Sequence, residues 1–157
     1  KLPKDEYPER NQTYHYLPYR FDSNLEKEYF ANGLIPLMKD KQLEYYFNGD
    51  DTLTEFKIRC YRRVGKHWQY DGLYYPDFLV LSRDTEGRID RICIIETKGE
   101  VYAAKFKERL EFMRDVFVPK NNEAFHRKRF QFLYLEDTIS AEERMAKTLQ
   151  MIKEFFI

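Results

Sequence analysis

Asp77, Glu96 and Lys98 are the residues of this chain whose types and spacing can do chemistry. Asp77 follows Pro76 near the head of the apolar run "YYPDFLVLS", and Glu96 and Lys98 close a second run, "RIDRICIIETKG". Both runs read as strands, with "RDTEG" between them as a hairpin loop. Pro76 is tolerated there because the first residue of a strand can do without a ladder donor. Centring the hairpin between Glu86 and Gly87 sets Asp77 opposite Glu96, with both pointing to one face. Lys98 then leaves the same face one step further on. Adjacent carboxylates repel unless a cation lies between them, and oxygen ligands with open water positions suit Mg²⁺. A carboxylate-held Mg²⁺ beside an ammonium suits phosphodiester hydrolysis. The metal polarises the phosphate and activates water; the ammonium offsets developing charge or orients the water. The plain alternatives are a surface ion pair for Glu96 and Lys98 and a turn or strand-start acid for Asp77. A bulge in the loop would shift the register on which the pairing rests.

A third carboxylate comes from upstream. In "FDSNLEKEYF" Ser23 and Glu26 have the S-x-x-E spacing of a capping box, so a helix is expected to begin there. At 100° per residue Leu25, Tyr29, Phe30 and Leu34 outline an apolar arc with Glu26 in its middle. A carboxylate facing a core must be paired, capped or metal-linked. Glu26 is therefore either the N3 partner of its cap or a supporting acid at the metal site.

The elements that must position these groups follow from periodicity and punctuation. The helical pattern fades near Gly33 and Pro36. A short second helical stretch is expected over 37–47, and "NGDD" marks a turn. "LTEFKIRCYRR" reads as a strand with Phe56, Ile58 and Cys60 on one face, and "VGKHW" turns it back. After the hairpin the period becomes helical over 103–117, with Phe106, Leu110, Met113 and Phe117 on one stripe. "VPKNNEAFHRK" is expected to be a loop and "RFQFLYLE" a fourth strand. Ser140 opens a last helix through a second S-x-x-E box, with Met145, Leu149, Ile152 and Phe156 as its stripe. The expected order is α, β, β, β, α, β, α. A hairpin followed by a strand-helix-strand unit places it in the α/β class, with a mixed central sheet flanked by helices.

The bulk numbers are compatible with one domain of 157 residues. Residues 1–20 are polar and Tyr-rich and read as an N-terminal arm; 21–157 read as the domain. Basic and acidic residues balance at 27 each, which argues against strong, whole-surface attraction to nucleic acid but leaves room for a local basic patch. No apolar run is long enough for a membrane helix, and no secretory signal pattern is present. Cys60 and Cys93 show neither zinc spacing nor a disulfide framework, so buried, reduced thiols in a cytoplasmic protein are expected. The chain begins at Lys1 and is expected to be a piece of something longer.

"YPDFLV" followed by "IIETKG" resembles the PD-(D/E)XK nuclease superfamily. With "FDSNLEKEYF" upstream, the chain looks like the C-terminal endonuclease domain of the restriction subunit of type III restriction enzymes, in which F-D-S-x-x-E, P-D-F and E-x-K-G occur in this order. The resemblance covers roughly residues 21–99. It implies a restriction-endonuclease-like αβββαβ core and metal-dependent cleavage of DNA. By position it implies Asp77 and Glu96 as Mg²⁺ ligands, with Mn²⁺ as a substitute ion. The Thr97 carbonyl would be a further ligand, and Lys98 would act on the attacking water or the scissile phosphate. Glu26 would assist the metal or its waters, and Gly99 would let the chain leave the strand close to nucleic acid. The partners implied are DNA, an upstream helicase or translocase domain, and a methyltransferase subunit.

For the nucleic acid, residues 101–130 carry eight basic against four acidic side chains, net +4 in a neutral chain. Lys105 and Lys107 follow the E-T-K-G strand end, and Arg127 and Lys128 lie further on; these four are the expected phosphate contacts. A solvated helix face laced with i,i+4 pairs would look the same. Two other functions stay open: a nucleic-acid-binding or assembly domain that does not cut, and a repair or junction nuclease with the same chemistry.

Overall fold

The computed structural model describes residues 32, 34–47, 56–98, 100–136 and 138–157; of Phe47, Lys98 and residues 100–105 only the backbone is described. The expected arm over 1–20, the helix carrying Glu26, the "NGDD" turn and Gly99 lie outside these residues.

Helix α1 (Ile35–Asp40) buries Ile35 and Met38 and stops where Gln42 turns left-handed, with φ 56°. The Leu43 amide reaches back to the Met38 carbonyl over 2.7 Å. That stop corrects the helix expected over 37–47. Residues Glu44–Phe47 form strand β1 instead. "EYYF" prefers this because aromatic side chains fit a pleated, half-buried surface: Tyr45 is buried with its ring 5.6 Å from that of Phe78.

Strands β2 (Ile58–Val64) and β3 (His67–Tyr74) form a two-stranded ribbon. Val64 pairs with His67 across a two-residue loop. Gly65 takes φ 59° while Lys66 does not turn positive, as in a type II′ turn. The turn at "VGKHW" was expected, but the strand that returns from it was not. Strands β4 (Phe78–Arg83) and β5 (Ile89–Lys98) make the expected hairpin.

Helix α2 (Glu100–Phe112) runs into a π-turn (Met113–Phe117) and then α3 (Val118–Ala124). The loop expected from Val118 onward is therefore helical as far as Ala124. Pro119 sits in the first turn after the π-turn, where a proline's missing N–H and its ring are tolerated. Strand β6 (Phe130–Glu136) and helix α4 (Ala141–Phe155) complete the chain. The Ser140 hydroxyl accepts the Glu143 amide at 3.1 Å, the expected cap.

The central sheet has the order β1-β4-β5-β6, antiparallel except for the parallel pair β5/β6. The fold is mixed α/β, with a mixed sheet and flanking helices. One face of the sheet (Phe78, Val80, Cys93, Ile95, Leu135) packs on α1 and α4. The other (Leu79, Leu81, Ile92, Ile94) packs on the ribbon base and on α2, through Ile58, Cys60, Tyr74 and Phe106. Phe106, Leu110, Met113 and Phe117 all join this second core, as their stripe predicts. Both cysteines are free and buried, and burial raises both thiols, Cys60 to about 11.

Candidate functional site

The site forms where β4 begins and β5 ends. Phe78 pairs with Ile95 and Leu79 with Ile94, so the register expected from the sequence holds up to the strand head. It holds for a reason the simple count did not contain. Thr85, Glu86 and Gly87 form a three-residue loop closed by reciprocal backbone bonds between Asp84 and its partners Gly87 and Arg88. Gly87 takes φ 79°, which a three-residue loop of this kind asks of its last residue. The odd loop shifts the pairing by one, and an irregularity between Ser82 and Arg83, with Asp90 as the extra residue, shifts it back. Backbone amides of Arg88 and Glu86 on the Asp84 carboxylate, with the Arg88 guanidinium, hold its pKa below the usual range and keep the loop closed.

Asp77 lies one residue before β4, and its surroundings interlock with those of Glu96. The Asp77 amide donates to Glu96 Oε2 over 3.2 Å. In return, Asp77 Oδ2 accepts the Thr97 amide at 3.1 Å and the Thr97 hydroxyl at 2.9 Å. Each carboxylate is thus held by a backbone N–H from the segment that carries the other. Glu96 is fully buried, whereas Asp77 is partly exposed. The Tyr74 hydroxyl donates to Glu96 Oε2 at 2.6 Å, a short bond as befits a charged acceptor. Burial, and then the adjacent Glu96 carboxylate, raise the Tyr74 pKa far above its ordinary value, so this phenol stays a donor.

Tyr74 was not singled out by sequence reasoning. Part of the signal was available: Trp68 and Tyr70 alternate with Gln69 and Asp71 at a strand period, and Tyr74 follows in phase, three residues before Asp77. Arg109 was counted only as one more cation. It clamps the ribbon to α2, with Nη1 on the Leu73 carbonyl at 2.5 Å and Nη2 on that of Asp71 at 3.3 Å. It therefore sets where Tyr74 meets Glu96. Gly72, at φ 95°, leaves room for this clamp; a Cβ there would meet Arg109 Nη2 at 3.4 Å.

The other expected site residues are placed as follows. Lys98 closes β5 two residues beyond Glu96, in register with Glu136 of β6. Thr97 is in register with Leu135, and its amide and hydroxyl serve Asp77. Lys105 lies in α2, and Lys107 is exposed on the same helix. Arg127 and Lys128 are exposed just before β6. Since Phe130 pairs with Ile92 and Tyr134 with Glu96, they lie beyond the far end of β6, more than about 13 Å along the sheet from Glu96. Arg127 is ion-paired with Asp90.

Of the two acids, Asp77 is the one whose carboxylate reaches solvent and suits a small hard cation, while Glu96 beside it is wholly buried. Mg²⁺ is commonly held by one or two protein carboxylates, with water and substrate oxygens filling the rest of its octahedron. Both hydrogen bonds accepted by Asp77 among the described residues fall on Oδ2, which leaves Oδ1 for a ligand. Among the described residues no group of three His, Cys, Asp or Glu side chains converges. No helix of the described residues is long and apolar enough to cross a membrane. No family model, curated protein or solved structure matches the chain.

Proposed function

We propose that the chain is a Mg²⁺-dependent DNA endonuclease domain on a restriction-endonuclease-like αβββαβ core, hydrolysing phosphodiester bonds in the manner of type III restriction nucleases. The observation that carries the reading is the interlocked pair Asp77 and Glu96 at the ends of the two inner strands, with Lys98 two residues beyond. Asp77 and Glu96 would hold the cation, with the Thr97 carbonyl beside them and Glu26 assisting. When bound, the metal supplies a Lewis acid for the phosphate oxygen and a water of lowered pKa. Tyr74 and the Asp77 amide fix the Glu96 carboxylate, so it is positioned before substrate arrives. Thr97 fixes Asp77 in the same way. Lys98 would bring its ammonium to the phosphate, where it offsets charge developing in the transition state.

A second reading, a nucleic-acid-binding or assembly domain that does not cut, is favoured by one feature. Glu96 is wholly buried and sealed by Tyr74, an arrangement that would also serve to pin the ribbon onto the sheet. Conversion of supercoiled plasmid to nicked or linear forms separates the two. The nuclease reading predicts conversion with Mg²⁺, none with chelator, and at least a hundredfold loss (roughly, from the size of such transition-state contacts) in Asp77→Asn and Lys98→Ala. Equal conversion by wild type and both variants would remove the assignment.

A further inference from the structure

The ribbon β2–β3 has a feature that the site does not use: residues 61–70 are exposed without interruption. Tyr61, Trp68 and Tyr70 are 38%, 47% and 55% exposed. A two-stranded ribbon gains little by leaving such rings in water. Residues 57–70 also hold Lys57, Arg59, Arg62, Arg63 and Lys66 with no Asp or Glu among them, in a chain of zero net charge. The register sorts these side chains. Tyr61 pairs with Tyr70 and Arg63 with Trp68, so rings and one guanidinium share a face. The Arg63 guanidinium lies 5.6 Å from the Trp68 ring centre. This face looks onto a groove of about 350 Å³, whose opposite wall is Glu108, Glu111 and Phe112 of α2.

We infer that this ribbon is the element that grips nucleic acid, and that it takes an unpaired strand. Aromatic faces beside a cationic edge are what unstacked bases and their phosphates require, whatever the sequence. The acidic wall keeps phosphates out of the groove. Bases therefore turn inward onto Trp68 and Tyr61, which line the groove, and the backbone follows Arg62, Arg63 and Lys66. The ribbon base is tied to the proposed site by Tyr74, six residues beyond Trp68, so a strand held at Trp68 lies about 20 Å from Glu96. The inference deepens the nuclease reading and rests on its choice of nucleic acid as partner.

Fluorescence anisotropy of the whole chain with a labelled 20-nucleotide dT strand and with a matched duplex, in chelator, tests it. Tighter binding of the single strand is expected. Trp68→Ala should weaken it about tenfold, the scale of one lost stacking contact, and Trp68→Phe should restore most of it. Arg62→Ala with Arg63→Ala should flatten the dependence of log affinity on log salt by about 1.4. Melting temperatures of these surface variants check that the fold is kept. Wild-type affinity in all three variants, duplex binding indifferent to Trp68, or no oligonucleotide binding at all would overturn the inference. So would finding that Trp68 instead mediates self-association or peptide binding. Binding in chelator is independent of cleavage. Metal-dependent cutting without ribbon binding defeats this inference alone, and ribbon binding without cutting defeats the nuclease reading alone.

Discussion

Replacing Tyr74 with Phe removes one oxygen and isolates the bond on which the geometry of Glu96 depends. Tyr74 is 3% exposed, and its hydroxyl meets Glu96 Oε2 at 2.6 Å. The ring itself stays packed, 5.5 Å from Phe106 centre to centre, so no cavity is created. A hydrogen bond to a charged acceptor contributes about 1.5–3 kcal/mol. Tyr74→Phe is therefore expected to cost about 2 kcal/mol. For a domain of this size that is a fall of roughly 4–8 °C in Tm. Urea unfolding followed by circular dichroism measures it. A double-mutant cycle with Glu96→Gln assigns it to the pair, with a coupling of at least about 1 kcal/mol. The same change should weaken Mn²⁺ binding about tenfold, because a carboxylate that loses its orienting donor is a poorer ligand. A cost below about 0.5 kcal/mol, or strict additivity in the cycle, would refute the claim that Tyr74 holds Glu96 in place.

Arg109→Met should release the ribbon, since the guanidinium donates to the carbonyls of Leu73 and Asp71. Hydrogen exchange in residues 67–74 should speed up at least tenfold while that in β4 and β5 changes little; uniform change across the sheet would contradict a local clamp. Alkaline pH should destabilise the fold through Cys60, whose thiol burial pushes up to about 11. The unfolded chain loses this proton first, near pH 9, so above that the native state binds more protons and stability falls with pH. The contribution is complete below pH 9 and lost by about pH 11, at no more than about 1.4 kcal/mol per pH unit. Cys60→Ala should therefore show a shallower decline in Tm over that window than wild type, and parallel curves would dispose of the effect.

The carboxylate pair was legible in the sequence because two strand patterns, a proline-acid start and an acid-x-lysine end constrain one another. The register survived only because the extra residue at Asp90 cancels the odd loop, and neither offset leaves a periodic trace. Strand β1 was illegible because "LEYYF" is amphipathic at either period; what decides it is the left-handed Gln42 and a pairing with β4 more than thirty residues away. The reach of the helix past Pro119 depends on a π-turn, which residue spacing does not encode. Tyr74 and Arg109 act through contacts across 22 and 36 residues. The basic count over 101–130 could not show that Arg109 and Arg127 are engaged elsewhere, nor that the acid-free basic stretch lies in the ribbon.

Isothermal titration of the protein with Mn²⁺ or Mg²⁺ reads the Asp77–Glu96 site without requiring substrate. Saturable binding is expected, which Asp77→Asn abolishes and Lys98→Ala leaves in place or strengthens, a cation having been removed from beside the site. Absence of binding, or an isotherm that Asp77→Asn does not change, would contradict it.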